Sequence, residues 1–122
     1  MTGKYLYFNS RDEFFRVDTR AIVYFEADGN YTHFVLCNGQ RGTVCMSLMQ
    51  MQELLTTHLK EEAHIFARVG KRFIVNLSFV YHINSQRQQL TLSDGIGPVF
   101  QIALSKEALK RLKELFVGKL KA

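Results

Sequence analysis

The sequence predicts a mainly β domain of antiparallel sheets with one internal and one C-terminal helix. Three observations carry this. Short segments rich in β-branched and aromatic residues recur along the chain, separated by turn chemistry. Most neighbours are joined by connections that suit hairpins, which makes the sheets antiparallel. The hydrophobic period changes to helical spacing in only two places, each behind a serine that can cap a helix.

Taken in order, Lys4–Phe8 reads as a strand, "NSRDE" as a polar turn and "FFRVD" as the returning strand. "AIVYFEA" is a third strand, ended by Asp28-Gly29-Asn30. "YTHFVLC" follows, then Asn38-Gly39, a strong hairpin signal, then "RGTVCM" as the return. Ser47 and Gln50 form a capping box, and Leu48, Met51, Leu55 and Leu59 follow at helical spacing, which predicts a helix over 48–59 with its methionines as core filler. "EEAHI" reads as a linker. Residues 66–77 read as a strand, 80–84 as a short one, "SQRQQ" as a turn and "QLTLS" as a half-buried strand turned by Asp94-Gly95. "PVFQIAL" is the last strand, with the single proline, Pro98, at its start, where a missing N–H does least harm. Ser105 caps a helix from Lys106 to about Val117, and Gly118 stops it.

The 122 residues predict one domain spanning 1–122, with a core over about 5–117. No apolar run reaches the roughly 18 residues of a membrane span, and the start lacks the apolar region of a signal peptide. A cytoplasmic location without membrane insertion is expected. An Asn38-Gly39 turn would offset Cys37 and Cys45 across the ladder, so the pair reads as two buried thiols in a reducing compartment. The net charge is +5 and it is unevenly spread. Residues 1–59 hold five Lys/Arg against six acids, residues 60–105 five against three, and residues 106–122 six against two. The positive field grows toward the C-terminus and suits a polyanion.

The motifs of common enzymes are missing from the sequence. It contains no GxSxG, no glycine-rich phosphate loop, no HExxH and no CxxC. His33, His58, His64 and His82 lack the close spacing of a zinc site, and Glu61 and Glu62 read as a solvated pair. No enzyme activity, catalytic residue, cofactor or metal site is expected.

What stands out is "FARVGKRFIVNL", residues 66–77, where Arg68, Lys71 and Arg72 crowd the mouth of the most apolar strand. In an extended chain Lys71 would fall on the inward side with Val69, Phe73 and Val75. Gly70 offers a bend or bulge that lifts Lys71 into solvent. The result is a projecting basic corner on a rigid strand. On these residues alone it serves equally well as a solubilising loop or as a platform for phosphates and base edges.

Four segments in order bear a family resemblance. "AIVYFEADGNYTHFVLCNG" resembles the opening of the LytTR DNA-binding domain, with its apolar strand, "EA.GNY" and later glycine turn. "SLMQMQELL" resembles that family's "sL..l...L" helix. "IFARVGKRFIVNLSFVYHI" resembles its "F.RvHrs.iVNl..I..i" segment, with Arg68, Val75, Asn76 and Leu77 in place. "LTLSDG" and "QIALSKEALKRL" resemble its ending. Together they run from about Tyr5 to Phe116.

The resemblance implies an elongated stack of small antiparallel sheets whose loops enter successive major grooves of DNA. In that family the domain sits behind a receiver domain of a bacterial response regulator. Residues 1–122 show no receiver pattern, so the resemblance implies either a stand-alone regulator or a C-terminal effector part. The implied contacts form three clusters: Asn30, Thr32 and His33; Arg68, Gly70, Lys71 and Arg72; and Ser105, Lys106 and Lys110. The corner differs from the family's usual His-Arg/Asn-Ser, and Glu107 stands where a basic or polar residue is common. The implied function is a sequence-specific, double-stranded DNA-binding transcription regulator of a two-component or related system. Implied partners are DNA, a second copy on repeated sites, and a receiver, kinase or membrane signalling protein. Lys71 and Arg72 are the first candidates for reading guanine. Lys106, Lys110 and Lys113 serve phosphates or simply solvate the helix. The alternatives are an interaction module of this fold with weak or lost DNA binding, and an RNA-binding β domain stacking bases on tyrosines that are themselves expected to lie mostly in the core.

Overall fold

The computed structural model describes residues 4–117. β1 (Tyr5–Asn9) and β2 (Phe14–Asp18) make a two-stranded hairpin. A 3-10 turn at Thr19–Ala21 leads to β3 (Ile22–Asp28), β4 (Tyr31–Leu36) and β5 (Arg41–Val44). Helix α1 (Leu48–Leu59) follows, then a 3-10 segment at Lys60–Ile65. β6 (Phe66–Val69) and β7 (Phe73–Asn76) join the previous three strands in a five-stranded sheet of order β5-β4-β3-β7-β6. A third sheet has the order β10-β9-β8, from β8 (Val80–Asn84), β9 (Gln89–Leu92) and β10 (Phe100–Ala103). Helix α2 (Lys106–Val117) closes the fold. Every strand pair is antiparallel.

The five-stranded sheet is covered on both faces. Successive side chains of a strand point to opposite faces, and here both faces meet apolar cover. Ile22, Phe25, Phe34, Val44 and Ile74 pack with Leu6, Phe8 and Val17 of the first hairpin and with Leu48, Met51, Leu55 and Leu59 of α1. Val23, Tyr24, Val35, Phe73 and Val75 pack on the other face, with Leu90, Leu92 and Ile102 of the third sheet and Ala108, Leu109 and Leu112 of α2. This is why β7 is buried at all four positions. Each fully buried aliphatic or aromatic side chain contributes about 1.5–3 kcal/mol.

Local chemistry sets the element ends. The capping box of α1 is formed: Gln50 N–H donates to Ser47 Oγ (3.1 Å) and Ser47 N–H to Gln50 Oε1 (2.9 Å). The buried Asn76 ends β7. Its amide donates to Ile22 O (2.9 Å) and its Oδ1 accepts from Ser78 N–H (2.9 Å), tying β7 to β3 and starting a 3-10 turn. Ser105 Oγ accepts from Ala108 N–H (3.1 Å) at the start of α2.

Several sequence expectations are corrected. Residues 66–77 are a hairpin, not one strand: Val69 pairs with Phe73, and Gly70, Lys71 and Arg72 reverse the chain. Gly70 has φ +65°, which only glycine adopts at little cost. The linker "EEAHI" is helical, within the 3-10 segment Lys60–Ile65. The last strand begins at Phe100, because Asp94 Oδ1 accepts from Ile96 and Gly97 N–H (2.8 Å each) and holds the preceding segment as a loop. Cys45 is exposed, one residue past the end of β5, and both thiols are free. Met51 is core, but Met49 faces solvent on the opposite side of α1. Of Tyr5, Tyr7, Tyr24 and Tyr31, only Tyr24 is buried, because the others lie at alternate or terminal positions of their strands. Gly118 lies outside the described residues.

Candidate nucleic-acid interface

Two hairpin tips of the central sheet project at the same end. β3 and β4 are joined by Gly29-Asn30, and β6 and β7 by Gly70-Lys71-Arg72. β3 lies between β4 and β7, with Glu26 opposite both His33 and Phe73. Directly opposed residues share a face, so His33, Glu26 and Phe73 form one row beneath the tips. Ala27 N–H donates to Arg72 O (2.8 Å), which extends the pairing of β3 up to the second tip. Neighbouring strands are about 4.8 Å apart, so the two tips lie roughly 10 Å from each other.

The corner is braced on both sides. Arg68 leaves β6 opposite Ile74, toward α1, and donates to Gln52 Oε1 (3.3 Å) and to Lys71 O (3.1 Å). It clamps the turn from behind. Arg72 goes to the other face, where its NH2 donates to Glu26 Oε2 (2.7 Å) and its guanidinium lies 5.7 Å from the Phe73 ring centre. Lys71 is exposed, and among the described residues it makes no ion pair. The turn thus presents one unneutralised cation and one cation held by a carboxylate.

The start of α2 meets this corner. Leu104 is buried, and its Cδ2 lies 3.7 Å from where a Cβ on Gly70 would sit. The contact creates a groove of about 380 Å³ walled by Lys71, Arg72, Phe73, Ser105, Glu107 and Arg111. A smaller hollow of about 190 Å³ lies alongside, between Arg68, Gly70, Arg111 and Leu115. Arg111 belongs to both and brings a second cation beside Lys71. Its sequence signal is faint: it stands three residues after Ala108, whose small buried side chain lets the helix approach the corner.

Each candidate residue has a definite place. Asn30 is exposed on the first tip, and Gly70, Lys71 and Arg72 form the second. Ser105 caps α2 beside the groove. Lys106 and Lys110 are exposed on α2, outside the groove walls. His33 is half-buried and held at both nitrogens, Nδ1 by Thr43 Oγ1 and Nε2 by Asp28 Oδ2 (2.8 Å each). Thr32 is sealed inside the sheet, and its hydroxyl donates to Met46 O (2.8 Å). Alternation puts it on the inner face between Tyr31 and His33. Glu26 and Arg111 are additions that sequence reasoning did not supply.

A domain of antiparallel sheets with two hairpin tips at one end, one of them cationic, is the class these features define. The family model described as the LytTr DNA-binding domain matches residues 12–117. The chain belongs to the LytTR DNA-binding domain family. Among solved structures it is similar to the LytTr DNA-binding domain assigned to a methyl-accepting/DNA response regulator from Bacillus cereus. The TM-score is 0.64 at 23% identity, covering 93% of this chain and 98% of the other, so the two share the fold. No curated protein matches the sequence. Among the described residues, no helix is long and apolar enough to cross a membrane.

Proposed function

We propose that this chain is a sequence-specific, double-stranded DNA-binding regulator of transcription, acting in the bacterial cytoplasm as the effector part of a response-regulator or related signalling system. The observation that carries this reading is the pair of hairpin tips and the basic groove gathered at one end of a LytTR-family fold. The strands of the β6–β7 hairpin stay within the five-stranded sheet, and its turn, with a cation at the tip, is the part that can enter the major groove of B-DNA. Lys71, Arg111, Lys106 and Lys110 meet phosphates, which fix orientation but carry little sequence information. Arg72 reads a base edge, because its guanidinium is already oriented. Asn30 forms the first tip, next to the second, and His33 lies in the row beneath both. Arg68 and Ser105 hold the corner and the helix in place. A receiver domain, kinase or membrane signalling protein controls the activity, and a second copy binds on repeated sites.

The test is a fluorescence-anisotropy titration with three probes: random duplex, a duplex enriched from a random pool, and single strands. Tight, salt-sensitive binding to duplex with preference for the enriched sequence is expected. Equal affinity for all three probes would overturn the reading.

A further inference from the structure

We infer that Glu26 is a specificity-determining residue: it orients Arg72 for a base edge and denies that arginine to the phosphate backbone. This deepens the reading above and rests on it. The geometry is specific. Glu26 sits on β3 between His33 and Phe73, in the row directly under the second tip. Its Oε2 takes one NH2 hydrogen of Arg72 at 2.7 Å, while Phe73 lies under the guanidinium at 5.7 Å. A guanidinium has five N–H donors in a rigid plane. Anchored by the carboxylate and backed by the ring, the plane is held, while its remaining donors stay with the 64% of the Arg72 side chain that is exposed. A held fork suits the paired O6 and N7 acceptors of guanine.

The same carboxylate acts against the wrong ligand. The Glu26–Arg72 pair is close to neutral as a unit, so it adds little to the attraction of phosphates. Glu26 itself repels a phosphate that approaches the tip. A base edge carries no net charge and suffers neither effect. Specificity is a difference between two affinities, and it grows when the unwanted partner is penalised as well as when the wanted one is favoured. Lys71, one residue earlier and without an ion pair among the described residues, shows the contrast: it is a flexible point charge suited to phosphate.

The experiment enriches duplexes from a random pool with the native chain. The enriched duplex and random duplex are then titrated with the native protein, Glu26→Gln, Glu26→Asp, Arg72→Ala and the Arg72→Ala/Glu26→Gln double variant. Glu26→Gln keeps an acceptor and the side-chain shape but removes the charge. It is expected to bind random duplex about threefold to tenfold more tightly and to lower the enriched-to-random ratio about tenfold. Glu26→Asp keeps the charge but draws it back by one methylene; it is expected to lower the ratio without tightening random binding. In the Arg72→Ala background, Glu26→Gln is expected to change the ratio far less. The inference is overturned if the native chain enriches a sequence yet Glu26→Gln leaves the ratio unchanged. It is also overturned if the loss is as large without Arg72. A native chain that enriches no sequence overturns the DNA-reading itself, and this inference with it.

Discussion

The ring of Phe34 occupies the space that a side chain on Gly42 would need. The two are direct cross-strand partners on β4 and β5, and a Cβ on Gly42 would clash with three atoms of the ring. The ring cannot swing aside, because it stacks on Phe8 at 5.8 Å and meets Phe15 edge-on at 5.2 Å. Gly42→Ala is therefore expected to destabilise the fold by about 1–3 kcal/mol, the usual cost of overpacking a core. Urea denaturation checks it, and an unchanged midpoint would show that the ring relocates freely.

Lys71→Ala should separate binding from stability. The side chain is exposed and unpaired among the described residues, so the melting temperature is expected to hold within the change caused by about 0.5 kcal/mol. Duplex affinity should fall, and the slope of log K against log salt should become shallower by up to about 1. Arg111→Ala should do the same, as it walls the same groove. A drop in melting temperature without loss of affinity would contradict the assignment.

Arg68→Ala should behave in the opposite way. It removes the clamp on Lys71 O and the link to Gln52, so random and enriched duplex should both weaken through a loosened corner. Amide exchange at Lys71 and Arg72 reads this directly and should speed up, while the salt slope should change less than in Lys71→Ala.

Glu107 tests the groove from its acidic side. It lies in the first turn of α2, where a carboxylate favours the helix dipole, and it walls the groove with Lys71 and Arg72. Glu107→Gln is expected to tighten duplex binding several-fold while lowering helix stability by roughly 0.3–1 kcal/mol. Weaker binding in this variant would remove the groove from the interface.

Asp94 gives a pH dependence far from that groove. The N–H groups of Gly97 and Ile96 on its carboxylate hold its pKa below the ordinary value. A lowered folded-state pKa means that the charged form favours the fold. The stabilisation is fully present above the unfolded value of about 3.9 and is lost as pH falls through the lower folded value. Melting curves between about pH 5 and pH 2 should show this loss in the native chain. Asp94→Asn should flatten that part of the profile.

Much of this arrangement was legible in the residues, for reasons that differ from element to element. The cap at Ser47-Gln50 and the Asn38-Gly39 turn are local, and local chemistry is written in adjacent letters. The reversal at Gly70 was harder. Phe66–Val69 and Phe73–Asn76 are both good strand sequences, and whether the chain bends or folds back depends on Val69 finding Phe73 and on β3 accepting β7. The family resemblance groups Thr32 with Asn30 and His33 as contacts, but strand parity within β4 turns its side chain inward. Arg111 and Glu26 owe their roles to partners distant in sequence: Arg111 to Gly70, and Glu26 to Arg72. No spacing rule within one segment reports such meetings.

The two-sided burial of β3 and β7 has a consequence for how the domain comes apart. Phe73 and Val75 insert into one core and Ile74 into the other, as Val23 and Phe25 do on the adjacent strand. Neither half can melt while the other persists, because each would leave a bare apolar sheet face in water. Backbone amides of β3 and β7 should accordingly exchange with solvent only through whole-chain opening, with equal protection on both strands. Calorimetry should record a single transition whose van't Hoff and calorimetric enthalpies agree. The hairpin tips are then mounted on the last part of the molecule to unfold.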